Sequence, residues 1–339
     1  MNSDAKIYVA GHRGLVGGAI VRRLESLGYT TLVTRTHAEL DLVNQQAVAD
    51  FFATEKPEYV FLAAAKVGGI MANSRYRGEF IYLNLMIQNN IMHQSMLHGV
   101  KRLVFLGSSC IYPKMAPQPI KEESLLTGPL EPTNSPYAVA KIAGIEMCRA
   151  YNEQYKTSFV PVMPTNLYGV GDNFSLETSH VLPALVRKFH LGKLALQGDW
   201  DGIQADERKW GPIPDDIKRA IGFDRRDGSA CKVVLWGTGN PLREFLYVDD
   251  MAAACVHVMS ETDTTELINI GTGKDMTIRA AAELVAKVVG YDGDVVWDDT
   301  KPDGTPRKVL DVSRLASEGW RYSIEFEDGV RRLYAAYEG

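Results

Sequence analysis

Tyr137 and Lys141 stand four residues apart in SPYAVAKIAG (135–144), a spacing that puts both side chains on one face of a helix. A free tyrosine titrates at about 10, and an adjacent ammonium favours its phenolate, which moves the group towards useful acid and base strength near neutrality. In the preceding run Gly107-Ser108-Ser109, at the end of an apolar strand, the hydroxyl of Ser108 could bond a carbonyl oxygen and polarise it for hydride attack. Tyr137 would then give the proton and Lys141 would lower its pKa. A packed tyrosine beside a solvated lysine has the same spacing. The position after a series of strand-like segments, with a serine at an earlier strand end, favours catalysis.

A second group of residues could hold the hydride source. Gly11, Gly14 and Gly17 follow a short apolar run and open a helical pattern. Such glycines allow a tight turn and close approach of backbone to a pyrophosphate, which the N-H groups of the helix start would bind. Where an NAD-binding chain would carry an acidic residue for the ribose hydroxyls, this chain has Arg35, and a guanidinium there, with Arg13 in the loop, suits the 2'-phosphate of NADP. Either arginine could instead be a surface charge, with Glu39 or Asp41 as a displaced ribose ligand.

The elements that must position these groups alternate. Strands are expected at 6–10, 30–34, 59–65, 102–107 and 159–163, and helices at 15–27, 45–54, 80–98 and 136–155. That rhythm predicts an α/β fold, a Rossmann-type doubly wound parallel sheet, with a smaller C-terminal α/β substrate domain. The expected division is 1–167 with 243–262 as the NADP-binding domain, and 168–242 with 263–339 as the substrate domain. After residue 168 the rhythm breaks into a helix at 182–191 and a polar stretch at 198–230, in which PDDIKRAIG suggests a short helix between Pro214 and Gly222. The mixed charge of that stretch suggests an exposed insert.

At 339 residues, 45% apolar and 23% charged, the chain can build a sizeable core. A net charge of -5 argues against a general nucleic-acid binder. Cys110, Cys148, Cys231 and Cys255 form no CxxC pair, so neither a metal site nor a disulfide framework is expected. With no signal-like N-terminus and no long apolar run, a cytoplasmic protein without a membrane partner is expected.

With these motifs in hand, the chain resembles the extended short-chain dehydrogenase/reductases that act on nucleotide sugars, in particular the GDP-L-fucose synthase group. The resemblance is carried by AGHRGLVG (10–17), AAAKVGGI (63–70), GSSCIYP (107–113), SPYAVAKIAG, PTNLYG (164–169), SHVLPALVRKFH (179–190), REFLYVDD (243–250) and KPDGTPRK (301–308). It implies epimerisation of GDP-4-keto-6-deoxy-mannose at C3 and C5, followed by reduction at C4 with NADPH. It pairs Cys110 and His180 as the base and acid of epimerisation. It also implies cofactor contacts from Gly11, Arg13, Gly14, Leu15, Val16 and Gly17, from Asp41 and Leu42 near the adenine, and from Pro164, Thr165, Asn166 and Leu167 near the nicotinamide. Lys188, Trp236, Arg243 and Asp303 would meet the sugar nucleotide. A homodimer through the helices after Phe80 and Pro136 is implied as well.

Two features depart from the group: the 198–230 insert and His37, where a second basic residue would be expected. Related enzymes of colitose or 6-deoxyheptose pathways share most of these motifs. A nucleotide-sugar 4-epimerase or dehydratase with tightly held NAD, and a non-catalytic dinucleotide sensor, are the rival readings.

Overall fold

The computed structural model describes residues 1–301 and 303–339; Pro302, in the 301–308 loop, lies outside the described residues. The chain forms two compact units, Met1–Leu167 with Glu244–Gly273 and Val309–Ile324, and Tyr168–Arg243 with Lys274–Lys308 and Glu325–Gly339.

The first unit is built on six parallel strands. In chain order, β1 (Ile7–Ala10) leads to α1 (Leu15–Ser26), β2 (Leu32–Val33), α2 (Gln45–Glu55) and β3 (Tyr59–Leu62). The short α3 (Ile70–Arg75), α4 (Arg77–Leu97), β4 (Arg102–Leu106), α5 (Ser135–Tyr155) and β5 (Phe159–Pro164) follow. The strands lie in the order β2, β1, β3, β4, β5 and then Ile268–Ile270. They are almost wholly buried, as a parallel sheet covered on both faces requires. Alternation sorts their side chains: Ile7 and Val9 join the core under α1 and the helix Val248–Glu261, while Tyr8 and Ala10 join the core under α2, α4 and α5.

Several expected boundaries shift. β2 keeps two ladder residues of the five expected, and β3 ends at Leu62, three residues early. The division at the C-terminal end also differs. Residues 263–273 and 309–324, expected in the substrate domain, pack into the first unit, and Arg243 falls in the second. The reason is the strand Ile268–Ile270, which pairs with β5 in the register Val162↔Ile268 but is too short to show a period in the sequence. Residues 309–324 are fastened by the Ile120 N-H donating to the Val309 carbonyl at 2.8 Å, and by the Asp250 carboxylate accepting from Ser323 and Ile324 N-H at 3.0 and 2.8 Å.

In the second unit, α6 (Val181–Leu196) is followed by α7 (Trp200–Trp210) and α8 (Asp215–Ala220), and the strands Lys232–Trp236 and Asp294–Asp298 run parallel. Helix Ile278–Val289 buries Ala281, Ala282, Val285 and Val289, one stripe at helical spacing, and packs on α6. The 198–230 stretch is not the exposed insert its charge suggested. Ile203, Ile213 and Ile221 are buried, and α7 is gripped by Arg187, whose side chain is fully out of water. Arg187 Nε donates to Asp206 at 2.8 Å, while its Nη atoms donate to the carbonyls of Phe174, Trp210 and Gly211 at 3.1, 3.0 and 2.5 Å. Trp210 stacks on Tyr337 with ring centres 5.4 Å apart. The charged residues mark a solvent face, while three isoleucines and a buried ion pair form the other. Pro214 and Gly222 bound α8 as expected.

Candidate active site

The glycine loop turns at the C-terminal end of β1, where the sheet order reverses between β1 and β3, the usual place for a ligand in such sheets. Gly11 has φ +86°, and a Cβ on it would lie 2.7 Å from the Ala64 nitrogen; a Cβ on Gly17 would lie 2.2 Å from the Gly11 carbonyl oxygen. No other residue type fits either position. Gly14 caps α1 without a side-chain acceptor, and the first turn contains no acidic residue, so N-H groups and helix dipole are left for an anion. His12 Nδ1, in the same loop, is buried without a hydrogen-bond partner. Cradle, uncapped helix and orphaned ring nitrogen together fit the diphosphate of a dinucleotide.

Arg13 is exposed. Arg35 is partly committed: it bonds the Thr34 carbonyl at 2.8 Å, pairs with Glu55 and stands 5.5 Å over the Phe51 ring. Hydrogen bonds from Thr36 hold the Glu39 carboxyl below its usual range, with smaller help from Arg35 and Arg13, so both cations face the same patch of surface. Asp41 folds back on its own backbone, accepting from Val43 N-H at 3.0 Å, and the Leu42 carbonyl takes an Asn90 amide at 2.9 Å. Thr165 N-H donates to the Ile270 carbonyl at 3.0 Å, and Asn166 Nδ2 to the Glu244 carbonyl at 2.7 Å, while Leu167 packs into the core.

Ser108 ends β4 in extended conformation and accepts the Cys110 N-H at 3.4 Å, which starts a 3-10 turn carrying the Cys110 thiol. Tyr137 lies in the first turn of α5, edge-on to Phe80 at 6.2 Å. One turn further, Lys141 is 2% exposed. Its ammonium donates to the Leu106 carbonyl at 2.8 Å and stands 4.7 Å over Phe105 and 5.9 Å over the Tyr137 ring.

These environments correct one expectation. Lys141 does not bring the Tyr137 phenol into the neutral range: burial pushes it well up, the nearby Cys110 adds to this, and a hydrogen bond with Ser108 opposes it. Burial instead lowers Lys141 to about 8, against the attraction of Cys110. The outcome is a neutral phenol beside a lysine whose pKa is held down to about 8. Ser108, Cys110, Tyr137 and Lys141 thus form one group within the first unit.

The remaining candidates belong to the second unit. His180 precedes α6 as its cap residue, with the imidazolium held below its usual range by the protein around it and by Lys308. Lys188 donates to the Val234 carbonyl at 3.0 Å and lies 5.9 Å from the centre of the Trp236 ring. Burial lowers its pKa, and Asp216 from α8 opposes that. Trp236 is 56% exposed and has Lys301 at 5.6 Å on its ring. Burial likewise lowers Arg243, opposed by Asp303, and Asp303 is fixed by Thr238 N-H and Oγ1 at 3.0 and 2.7 Å. Cations beside an exposed indole can receive a diphosphate and a flat base. The sequence reading passed over Lys301 and Lys308, although both lie in KPDGTPRK, and it passed over Asp216 inside the insert.

The family model for the NAD dependent epimerase/dehydratase family matches residues 7–271. GDP-L-fucose synthase 1 of Arabidopsis thaliana is 53% identical, over 99% of this chain and 94% of that protein. GDP-L-fucose synthase of Escherichia coli K12 is 50% identical, over 98% and 96%. Among solved structures, a GDP-D-glycero-L-gluco-heptose synthase from Campylobacter jejuni, determined in the presence of NADPH, superposes with a TM-score of 0.91 at 42% identity and full coverage of both chains.

Proposed function

The chain belongs to the NAD dependent epimerase/dehydratase family, and on that premise we propose that it is an NADPH-dependent enzyme converting GDP-4-keto-6-deoxy-D-mannose to GDP-L-fucose by 3,5-epimerisation and 4-reduction. The observation that carries this reading is the grouping of Ser108, Cys110, Tyr137 and Lys141 at one sheet end, in a chain half identical to GDP-L-fucose synthases.

The C4 ketone acidifies the protons on C3 and C5. At each carbon in turn Cys110 as thiolate takes the proton and His180 as imidazolium returns one to the opposite face, and proton exchange with solvent restores both groups between the two inversions. Ser108 holds the C4 oxygen. When bound, NADPH would supply the hydride for C4. Tyr137, kept neutral by burial, gives its proton to the oxygen, and the Lys141 ammonium stabilises the phenolate left behind. Gly11, Gly14, Gly17 and the α1 N-terminus would hold the cofactor diphosphate and Leu15 and Val16 its surroundings. Arg13 and Arg35 would hold the 2'-phosphate, Asp41 and Leu42 the adenine side, and Pro164 to Leu167 the nicotinamide side. Lys188, Trp236, Arg243 and Asp303, with Lys301 and Lys308, would receive the GDP-sugar.

A second reading, an enzyme acting on a GDP-heptose, is favoured by the likeness to the Campylobacter jejuni GDP-D-glycero-L-gluco-heptose synthase. NADPH oxidation with each keto-sugar, with the product configuration read by NMR, separates the two. GDP-L-fucose is expected, and turnover of the heptose substrate alone would displace the main reading.

The protein is further proposed to be a cytoplasmic homodimer. Cys110, Cys148, Cys231 and Cys255 form no disulfide, and among the described residues no helix is long and apolar enough to cross a membrane. On α4 and α5, Tyr82 and Val139 are 56% and 45% exposed, apolar surface that a second copy would cover. Sedimentation equilibrium should give twice the chain mass, and Tyr82→Glu with Val139→Glu should halve it; a native monomer would refute the dimer.

A further inference from the structure

We infer that Glu244 is the positioning residue of this site, a single buried side chain that fixes, within the first unit, four places where the chain crosses between units. Those crossings follow Leu167, precede Glu244 itself, follow Gly273 and precede Val309. Glu244 is fully buried. Its Oε1 accepts the backbone N-H of Thr272 at 2.5 Å and of Gly273 at 2.7 Å, and its Oε2 accepts that of Leu310 at 2.9 Å. Its own peptide carbonyl accepts Asn166 Nδ2 at 2.7 Å and Thr165 Oγ1 at 3.3 Å. Each partner lies within three residues of a crossing. Gly271 leaves the necessary room, since a Cβ there would lie 2.2 Å from Oε1.

Both functional readings of the region meet at this residue. Asn166 and Thr165 stand where the nicotinamide end of the cofactor is proposed to lie, and Arg243, the cation proposed for the substrate diphosphate, is the next residue in the chain. Burial raises the Glu244 pKa, and the backbone N-H groups of Leu310, Gly273 and Thr272, with a hydrogen bond from Thr165, oppose the rise. Three convergent N-H donors suit a carboxylate alone. Gln would turn an amide N-H2 towards one of them, and Asp, one methylene shorter, cannot span all three. The inference rests on the proposed binding role of Arg243.

Glu244→Gln and Glu244→Asp test it, with turnover, GDP affinity and NADPH affinity measured together. The expected result for Glu244→Gln is a rise of roughly tenfold or more in KM for the keto-sugar and in Kd for GDP. The Kd for NADPH should change by less than about threefold, because the glycine loop that holds most of the cofactor is untouched. Glu244→Asp should fall between native and Gln. Unchanged GDP affinity in a folded Glu244→Gln protein would overturn the inference. If the native protein binds GDP but does not turn over the keto-sugar, the proposed reaction fails while the GDP comparison still decides the role of Glu244. Hydrogen exchange on the native protein covers the case of variants that do not fold: the amides of Thr272, Gly273 and Leu310 should exchange as one protected group, and widely separate rates would contradict the shared anchor.

Discussion

Lys141 sits almost wholly out of water, bonded to one backbone carbonyl and set over two aromatic rings. Its folded pKa of about 8 lies below the free value of 10.5, so between those pH values the unfolded chain binds more protons and stability rises with pH. Below about pH 8 the buried ammonium costs stability, on the order of 1–3 kcal/mol after its hydrogen bond is counted. Lys141→Met should therefore raise the denaturation midpoint at pH 7 while cutting turnover by about a hundredfold or more. Native turnover should decline as pH climbs through about 8, where the ammonium is lost. Unchanged turnover in the variant would remove Lys141 from the chemistry. The shared helix face of Tyr137 and Lys141 and the turn at Gly11 were legible because Y-x-x-x-K and the glycine spacing impose local geometry. What escaped was the sign of the Tyr137 shift, because burial by Phe80 and its neighbours is a tertiary property that no local pattern carries.

At the scale of elements, α7 shows what a polar composition conceals. Its charged residues predict a surface, yet Asp206 is buried against Arg187, and the same arginine holds the carbonyls at the end of the helix. Replacing Asp206 by Ala leaves a guanidinium unpaired in the interior, and denaturant titration should show a loss of about 3–5 kcal/mol. A loss under about 1 kcal/mol would mean that the segment is the loosely attached insert its composition suggested. The helical spacing of α1 and the uninterrupted apolar run of β5 could be read from the sequence to within a few residues. The strand Ile268–Ile270 could not, because the three residues Ile-Asn-Ile fit a helix turn as well as a strand; only pairing with β5 gives it an identity.

At the scale of the whole molecule, the first unit carries the glycine loop with Ser108, Cys110, Tyr137 and Lys141, and the second unit carries His180, Lys188, Trp236 and Arg243. The sequence made that division of labour visible through its broken strand-helix rhythm after residue 168. It did not reveal that 263–273 and 309–324 return to the first unit, since such returns depend on long-range pairing such as Ile120 with Leu310. The central claim is that one site inverts two carbons and then reduces the ketone between them. Its most direct test is turnover of GDP-4-keto-6-deoxy-D-mannose with NADPH in deuterated water, followed by NMR of the product, for the native protein and for Cys110→Ser. The account predicts GDP-L-fucose carrying deuterium at C3 and C5 from the native protein, and exchange suppressed in Cys110→Ser with ketone reduction still measurable. A reduced product with hydrogen retained at both carbons, or equal loss of exchange and reduction in the variant, would contradict it.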